Sequence, residues 1–86
     1  MDKIFEIVKK YIDEYDYYKL LYNGAPDDEF DDYTNMVVNE INSNSTAENI
    51  AESIARAFIK GFGEDIDAKQ FIVIAQKIKS ELYEAS

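Results

Sequence analysis

Apolar side chains recur every three or four residues in four separate stretches of this chain, and that spacing restricts its fold more than any other feature. In the first stretch, residues 3–15, the recurring side chains are Ile4, Ile7, Val8, Tyr11, Ile12 and Tyr15. Such spacing places them on one face of a helix. The run Gly24-Ala25-Pro26 then interrupts helical structure, because proline lacks an N–H and biases the preceding residue away from the helical conformation. The two-residue alternation of a strand is missing, so a helical fold is predicted.

The starts of the next three helices are marked by polar residues. A second helix is predicted to begin near Asp31 or Asp32, because acidic side chains suit the positive end of the helix dipole. Ser45 and Glu48 have the S-x-x-E spacing of a capping box and predict the start of the third helix. Asp67 is the predicted cap of the fourth helix.

Short connections between the later helices favour antiparallel neighbours. We therefore predict a single helical domain over residues 1–86, of the all-α class: a small antiparallel four-helix bundle with a long irregular loop between helices 1 and 2. A chain of 86 residues can bury one modest core. Alanines such as Ala51 and Ala57 on the third helix would let another helix approach closely. Gly61 or Gly63 is predicted to end that helix.

The charge of the chain is distributed unevenly along its length. Residues 11–53 hold eleven acidic side chains and one basic side chain, so the net charge of this stretch is −10. The net charge of the whole chain is −9. Residues 1–10 add +1, and residues 54–86 are balanced. A surface of one sign steers association with partners of the opposite sign. The expected partner is therefore a basic protein. Nucleic acid and membranes are not expected, because nucleic acid and anionic lipid surfaces would be repelled by the negative charge of the chain.

The composition also argues against an enzyme. The chain has no cysteine and no histidine, so it lacks thiol chemistry, the usual general base near neutral pH and the commonest metal ligand. No cofactor and no metal ion are expected. No segment approaches the ~20 apolar residues of a membrane span. Asp2 and Glu6 interrupt the basic-then-apolar layout of a signal peptide, and we expect a cytoplasmic location.

The candidate binding residues combine tyrosines with acidic side chains. Tyr11 and Tyr15 continue the apolar face of the first helix and are predicted to lie at the core. Later tyrosines fall beyond the clear periodicity, and tyrosine is common at binding hot spots. Five acids lie around the start of the second helix: Asp27, Asp28, Glu29, Asp31 and Asp32. Favourable interaction with the helix dipole explains about two of them. The predicted partner-binding residues are Asp16, Tyr17, Tyr18, Tyr22, Asp27, Asp28, Glu29, Asp31 and Asp32.

A calcium site is the alternative interpretation of these acids. Asp27, Glu29 and Asp31 alternate like the opening of an EF-hand loop. The sixth position of such a loop should be glycine and is Asp32, and the twelfth should be glutamate and is Val38. The pattern fails at both diagnostic positions, which leaves at most a weak divalent-ion site and favours a solvated acidic loop.

Five short segments of the chain resemble a known family: Tyr15-Asp16-Tyr17, Leu20-Leu21, Gly24-Ala25-Pro26, Asp28-Glu29-Phe30-Asp31 and Phe62-Gly63. The family is the YugE-like family of small bacterial proteins, where the matching elements are Trp-Asp-Pro, Leu-Leu, Gly-Ala-Pro, Asp-Glu-Tyr-Asp and Phe-Gly. Tyr15 stands at the tryptophan and Tyr17 at the proline, and residues 20–31 are the most specific part. The resemblance implies a small helical fold and a cytoplasmic location. It implies no activity, because none is established for the family.

Two functional hypotheses follow from these features. The leading hypothesis is a non-enzymatic acidic protein-binding module, in its concrete form an immunity-type protein that neutralises a basic toxin or nuclease. Small size, helical build, acidity and the Asp16-Tyr17-Tyr18 element are similar in type to nuclease-toxin immunity proteins. The alternative is a self-associating structural or regulatory module, a homodimer formed through exposed tyrosines and the alanine-rich third helix.

Overall fold

The computed structural model describes residues 2–85 and is built from helices. The α-helices are α1, Lys3–Tyr15; α2, Asp31–Val38; α3, Ala47–Phe62; and α4, Ile72–Ala85. Two short 3₁₀ turns, Tyr17–Lys19 and Ala68–Phe71, follow α1 and precede α4. Within residues 2–85 there is no strand, which confirms the predicted all-α class.

The start of α3 differs from the prediction by one residue. Its N-cap is Thr46, whose hydroxyl oxygen accepts a hydrogen bond from the Asn49 N–H at 3.0 Å. Oδ1 of Asn49 accepts in return from the Thr46 N–H at 3.3 Å. The predicted box of Ser45 and Glu48 is therefore wrong. Ser45 Oγ instead accepts from the Asn42 N–H at 3.0 Å and closes the preceding turn, so its hydroxyl is already engaged.

The end of α3 and the beginning of α4 agree more closely with the sequence. Gly63 ends α3 in the left-handed region at φ 70°, as predicted, and its N–H donates to the Ile59 carbonyl at 2.8 Å. Asp67 is a cap, because its carboxylate accepts from the Lys69 N–H at 2.9 Å. It caps the second 3₁₀ turn, however, and the regular helix begins only at Ile72.

The four α-helices enclose one apolar core centred on Phe58 of α3. Helix α1 packs against α2 and α4, and α3 packs against the same two helices. The Phe58 ring lies 4.9 to 5.7 Å from four other aromatic rings: Tyr17, Phe30, Tyr33 and Phe71. Rings from the connection after α1, from α2 and from the turn before α4 therefore meet on one side chain. The antiparallel order of the helices stays a prediction.

The alanines of α3 are used inside the chain. Ala51, Ala55 and Ala57 are buried in the core, where their small side chains permit close packing of the neighbouring elements. The close approach predicted for this helix is therefore made within one molecule, and the alanines are not a free surface for a second copy. No helix in residues 2–85 has the length and apolar character needed to cross a membrane.

Candidate functional site

The acidic loop, residues 27–32, exposes four carboxylates around one buried anchor. Phe30 is completely buried and packs on Phe58 with ring centroids 5.7 Å apart. Burying this ring fixes the backbone on either side of it. The exposed acids are Asp27, Asp28, Glu29 and Asp32, and none of them forms an ion pair with a base among residues 2–85. Their negative charge is therefore presented to solvent.

The fifth acid of the loop, Asp31, has a different environment. Its Oδ1 lies 2.6 Å from the Lys9 ammonium, and both side chains are about one-third exposed. The same ammonium lies 2.9 Å from Oδ2 of Asp13 and donates to the Asp27 carbonyl at 2.8 Å. Asp31 thus ties the acidic loop to α1, and it shares the single positive charge of Lys9 with Asp13.

The segment after α1, residues 16–22, is a turn closed by Asp16. This residue adopts the left-handed conformation at φ 52°, and its carboxylate accepts from the N–H groups of Leu21 at 2.7 Å and Tyr22 at 2.9 Å. Aspartate tolerates this region because its short side chain can bond to nearby backbone. Asp16 was predicted to bind a partner, and the structure gives its carboxylate an internal role in shaping this tyrosine turn.

Tyr17 is one of the predicted partner-binding residues, but the structure buries its side chain. Tyr17 is only 9% exposed, and its ring lies 4.9 Å from the rings of both Phe58 and Phe62. The left-handed Asp16 turns the chain so that the next side chain points into the core, although Tyr17 lies outside the helical periodicity of α1. Tyr17 is therefore a core residue with a polar end.

Tyr18 and Tyr22 are the exposed tyrosines of this turn, at 60% and 84%. The Tyr18 ring lies 4.6 Å from the Tyr17 ring and 5.8 Å from the Phe62 ring, both near-perpendicular contacts. Tyr18 has φ 58° and Lys19 has φ 54°, a backbone region that costs an L-residue about 1–2 kcal/mol. The fold thus holds Tyr18 on the surface in a fixed and strained conformation.

Glu64, 46 positions after Tyr18 in the sequence, also contacts the tyrosine turn. Its Oε2 accepts the Tyr17 hydroxyl at 2.9 Å, and its Oε1 accepts the Tyr18 hydroxyl. These two hydrogen bonds hold the pKa of Glu64 below its ordinary value, and the bond from Tyr18 has the larger effect. Sequence reasoning missed Glu64, because it lies outside the acidic stretch and only the long-range contact of the fold brings it to the tyrosines.

The remaining acids of residues 11–53 are less concentrated than the sequence suggests. Four of the eleven pair with bases of the chain: Asp13 and Asp31 with Lys9, Glu14 with Lys77, and Glu40 with Arg56. Asp16 is engaged with backbone N–H groups. Along the chain, the unpaired negative charge nearest the tyrosine turn is that of the acidic loop, and Lys19 within the turn forms no ion pair with residues 2–85. Among residues 2–85 no group of three or more carboxylates could hold a metal ion.

Six of the nine predicted residues are therefore exposed, five on the connection between α1 and α2 and one in the first turn of α2. They are Tyr18, Tyr22, Asp27, Asp28, Glu29 and Asp32. We call these six residues together with Glu64 the docking surface. The acidic loop contributes unpaired negative charge and the tyrosine turn contributes exposed aromatic area, and the buried side chains of Phe30 and Tyr17 anchor these two segments.

Comparisons of the chain with protein-family models, with curated proteins and with solved structures found no match. The resemblance to the YugE-like family therefore stays a prediction made from short segments of the sequence.

Proposed function

We propose that this protein is a non-enzymatic binding module whose docking surface covers a basic surface of another protein. Its concrete form is an immunity-type protein that neutralises a basic toxin or nuclease in the cytoplasm. The proposal depends on one observation: Asp27, Asp28, Glu29 and Asp32 are exposed and form no ion pair with any base in the described part of the chain, while Phe30 between them is buried. A partner would supply the missing cations.

Exposed acids on a fixed backbone favour fast and oriented association. Opposite charges across an interface raise the association rate and set the register, and their effect falls as salt screens them. Tyr18 and Tyr22 add aromatic area that loses little entropy when it is covered. Blocking a basic active site requires only such a surface, which supports the immunity-type form of the proposal.

The test neutralises the four exposed acids of the loop while Asp31 stays in place. Asp31 is kept because its pairing with Lys9 holds the loop to α1. A matched control removes the same charge elsewhere, at exposed positions of the rest of the chain. The test variant carries Asp27→Asn, Asp28→Asn, Glu29→Gln and Asp32→Asn, and the control carries Glu48→Gln, Glu52→Gln, Asp65→Asn and Glu84→Gln.

Each immobilised variant is then exposed to lysate of the source cell at low salt, and bound proteins are eluted with a salt gradient. We expect one stoichiometric basic protein on the wild type and on the control, and its loss from the loop variant. With that partner purified, the association rate of the loop variant should be slower and less salt-dependent. Equal retention by all three proteins would contradict the proposal.

Self-association is the second candidate function, and exposed apolar side chains favour it. Tyr22 is 84% and Val73 is 58% exposed. Sedimentation of the isolated protein at micromolar concentration distinguishes the two functions. A dimer that disappears in a Tyr22→Ser variant would favour self-association, whereas a monomer at all concentrations would exclude it.

A further inference from the structure

We propose that Glu64 and Tyr18 form a binding site for an arginine side chain of the basic partner. This inference rests on the proposed function, because it names the chemistry by which the docking surface recognises its partner. The guanidinium would pair with the Glu64 carboxylate and lie on the Tyr18 ring. Neither residue belongs to the acidic loop, so the site can be tested separately from it.

The Glu64 carboxylate is held in place by two tyrosine hydroxyls. Tyr17 donates to its Oε2 at 2.9 Å, and Tyr18 donates to its Oε1. A carboxylate has about four lone-pair positions on its two oxygens, so each oxygen can accept a further donor. No lysine or arginine of residues 2–85 forms an ion pair with Glu64. The side chain is half-buried, which leaves an approach from solvent.

The Tyr18 ring supplies the second half of the site. It is 60% exposed, while its contacts with Tyr17 and Phe62 restrict its position. A cation over such a ring is attracted by the ring quadrupole, and the planar guanidinium also stacks on it. The hydroxyl of the same ring bonds to Glu64, so the ring and the carboxylate are coupled in position.

The backbone conformation fixes this pair before a partner arrives. Tyr18 and Lys19 both have positive φ, and the Asp16 carboxylate closes the turn by accepting from the N–H groups of Leu21 and Tyr22. A preformed site loses less entropy on binding than a flexible one. Tyr17, buried beneath, anchors both Glu64 and Tyr18 to the core.

Arginine fits this arrangement better than lysine. A guanidinium is flat, donates in parallel pairs to a carboxylate and stacks on aromatic rings. The lysine ammonium is a compact, strongly hydrated charge that gains less from the ring. The exposed carboxylates of the acidic loop can also pair with a guanidinium, whereas stacking beside the Glu64 carboxylate requires the Tyr18 ring. The part of the arginine preference that depends on Glu64 and Tyr18 is therefore the property of this site.

The experiment titrates the protein with oligoarginine and oligolysine peptides of equal length and measures both affinities by calorimetry. We expect the wild type to prefer oligoarginine by about two- to fivefold, the range of an exposed cation–π contact. Glu64→Gln and Tyr18→Leu should reduce the preference, and Tyr18→Phe should keep it because the ring remains. Tyr83→Leu, at an exposed tyrosine outside the docking surface, is the matched control and should leave it unchanged.

The outcomes separate this inference from the proposed function. Neutralising the four exposed acids of the loop should lower the affinity for both peptides and leave the arginine preference of Glu64 and Tyr18 intact. Loop-dependent binding with no preference in the wild type would overturn the arginine site and leave the proposed function standing. Failure of both peptides to bind would overturn both proposals. Should Glu64→Gln not fold, equal preferences in Tyr18→Phe and Tyr18→Leu would still overturn the site.

Discussion

The Lys9 ammonium lies 2.6 Å from Oδ1 of Asp31, a residue 22 positions further along the chain. The same ammonium bonds to the Asp13 carboxylate and to the Asp27 carbonyl, so one lysine joins α1 to both ends of the acidic loop. Lys9 contacts Oδ2 of Asp13, whereas Oδ1 is buried and has no hydrogen-bond partner within residues 2–85. Burial raises the pKa of Asp13. Lys9 is therefore the side chain that permits several acids to lie together here.

Replacing Lys9 with methionine should destabilise the protein and loosen the acidic loop. The change removes three interactions of a partly buried charge and leaves Asp13 without a cation, a loss of about 1–2 kcal/mol. Unfolding in urea measures the free energy of unfolding, and amide hydrogen exchange measures how often the acidic loop opens. Lys69→Met, which removes a charge that forms no ion pair with residues 2–85, is the control and should change stability little. Equal stability of the two variants would show that Lys9 has no such role.

Tyr17 and Tyr22 should behave oppositely when each is truncated to alanine. Tyr17 is buried against Phe58 and Phe62, so Tyr17→Ala should cost about 3 kcal/mol of unfolding free energy. Tyr22 is 84% exposed, and Tyr22→Ala should stay within about 0.5 kcal/mol of the wild type. Its effect should appear instead in partner binding. Thermal unfolding of both variants checks the ranking, and a stable Tyr17→Ala variant would contradict the core assignment.

Most of the fold could be predicted because it depends on local signals. The spacing of apolar residues defines α1 as Lys3–Tyr15, and Gly63 ends α3 as its conformational freedom suggests. The cap of α3 was missed by one position because adjacent Ser45 and Thr46 are chemically equivalent caps. Which of them is used depends on the turn at Asn42, where the Ser45 hydroxyl is already bonded.

The candidate site could be predicted only in part, for a different physical reason. The exposure of the loop acids follows from their polarity and from the proline before them. The burial of Tyr17 follows from a left-handed backbone at Asp16, a conformation that aspartate adopts only occasionally and that the spacing of apolar residues does not indicate. Glu64 is brought in by a contact between residues 47 positions apart, which local patterns do not contain.

Acidification should reveal the role of Glu64 in stability. Hydrogen bonds from Tyr18 and Tyr17 hold its folded-state pKa below the ordinary value of 4.5. A lowered folded-state pKa contributes stability that is present above the unfolded-state pKa and is lost as pH falls through the folded-state value. Unfolding in urea at a series of acidic pH values should therefore show a shallower loss in Glu64→Gln than in the wild type. Glu40 and Glu81 also have lowered pKa values, so part of the slope should remain. Identical slopes would rule out this contribution.

A side chain added at Gly61 on α3 should destabilise the protein while Tyr33 is present. A Cβ at Gly61 would lie 2.6 Å from Cζ and from the hydroxyl oxygen of the Tyr33 ring, well inside van der Waals contact. That ring also packs 5.1 Å from Phe58 and 5.7 Å from Phe62, so displacing it disturbs the aromatic core.

Two opposing effects decide the result of Gly61→Ala. Alanine favours a helix over glycine by about 0.5–1 kcal/mol, whereas overpacking costs about 1–3 kcal/mol. We expect a net loss of about 1 kcal/mol in the wild-type background. In a Tyr33→Ala background the clash is absent, and the same substitution should become stabilising. Urea unfolding of the double-mutant cycle measures both signs, and a stabilising effect in both backgrounds would refute the close packing of Tyr33 on Gly61.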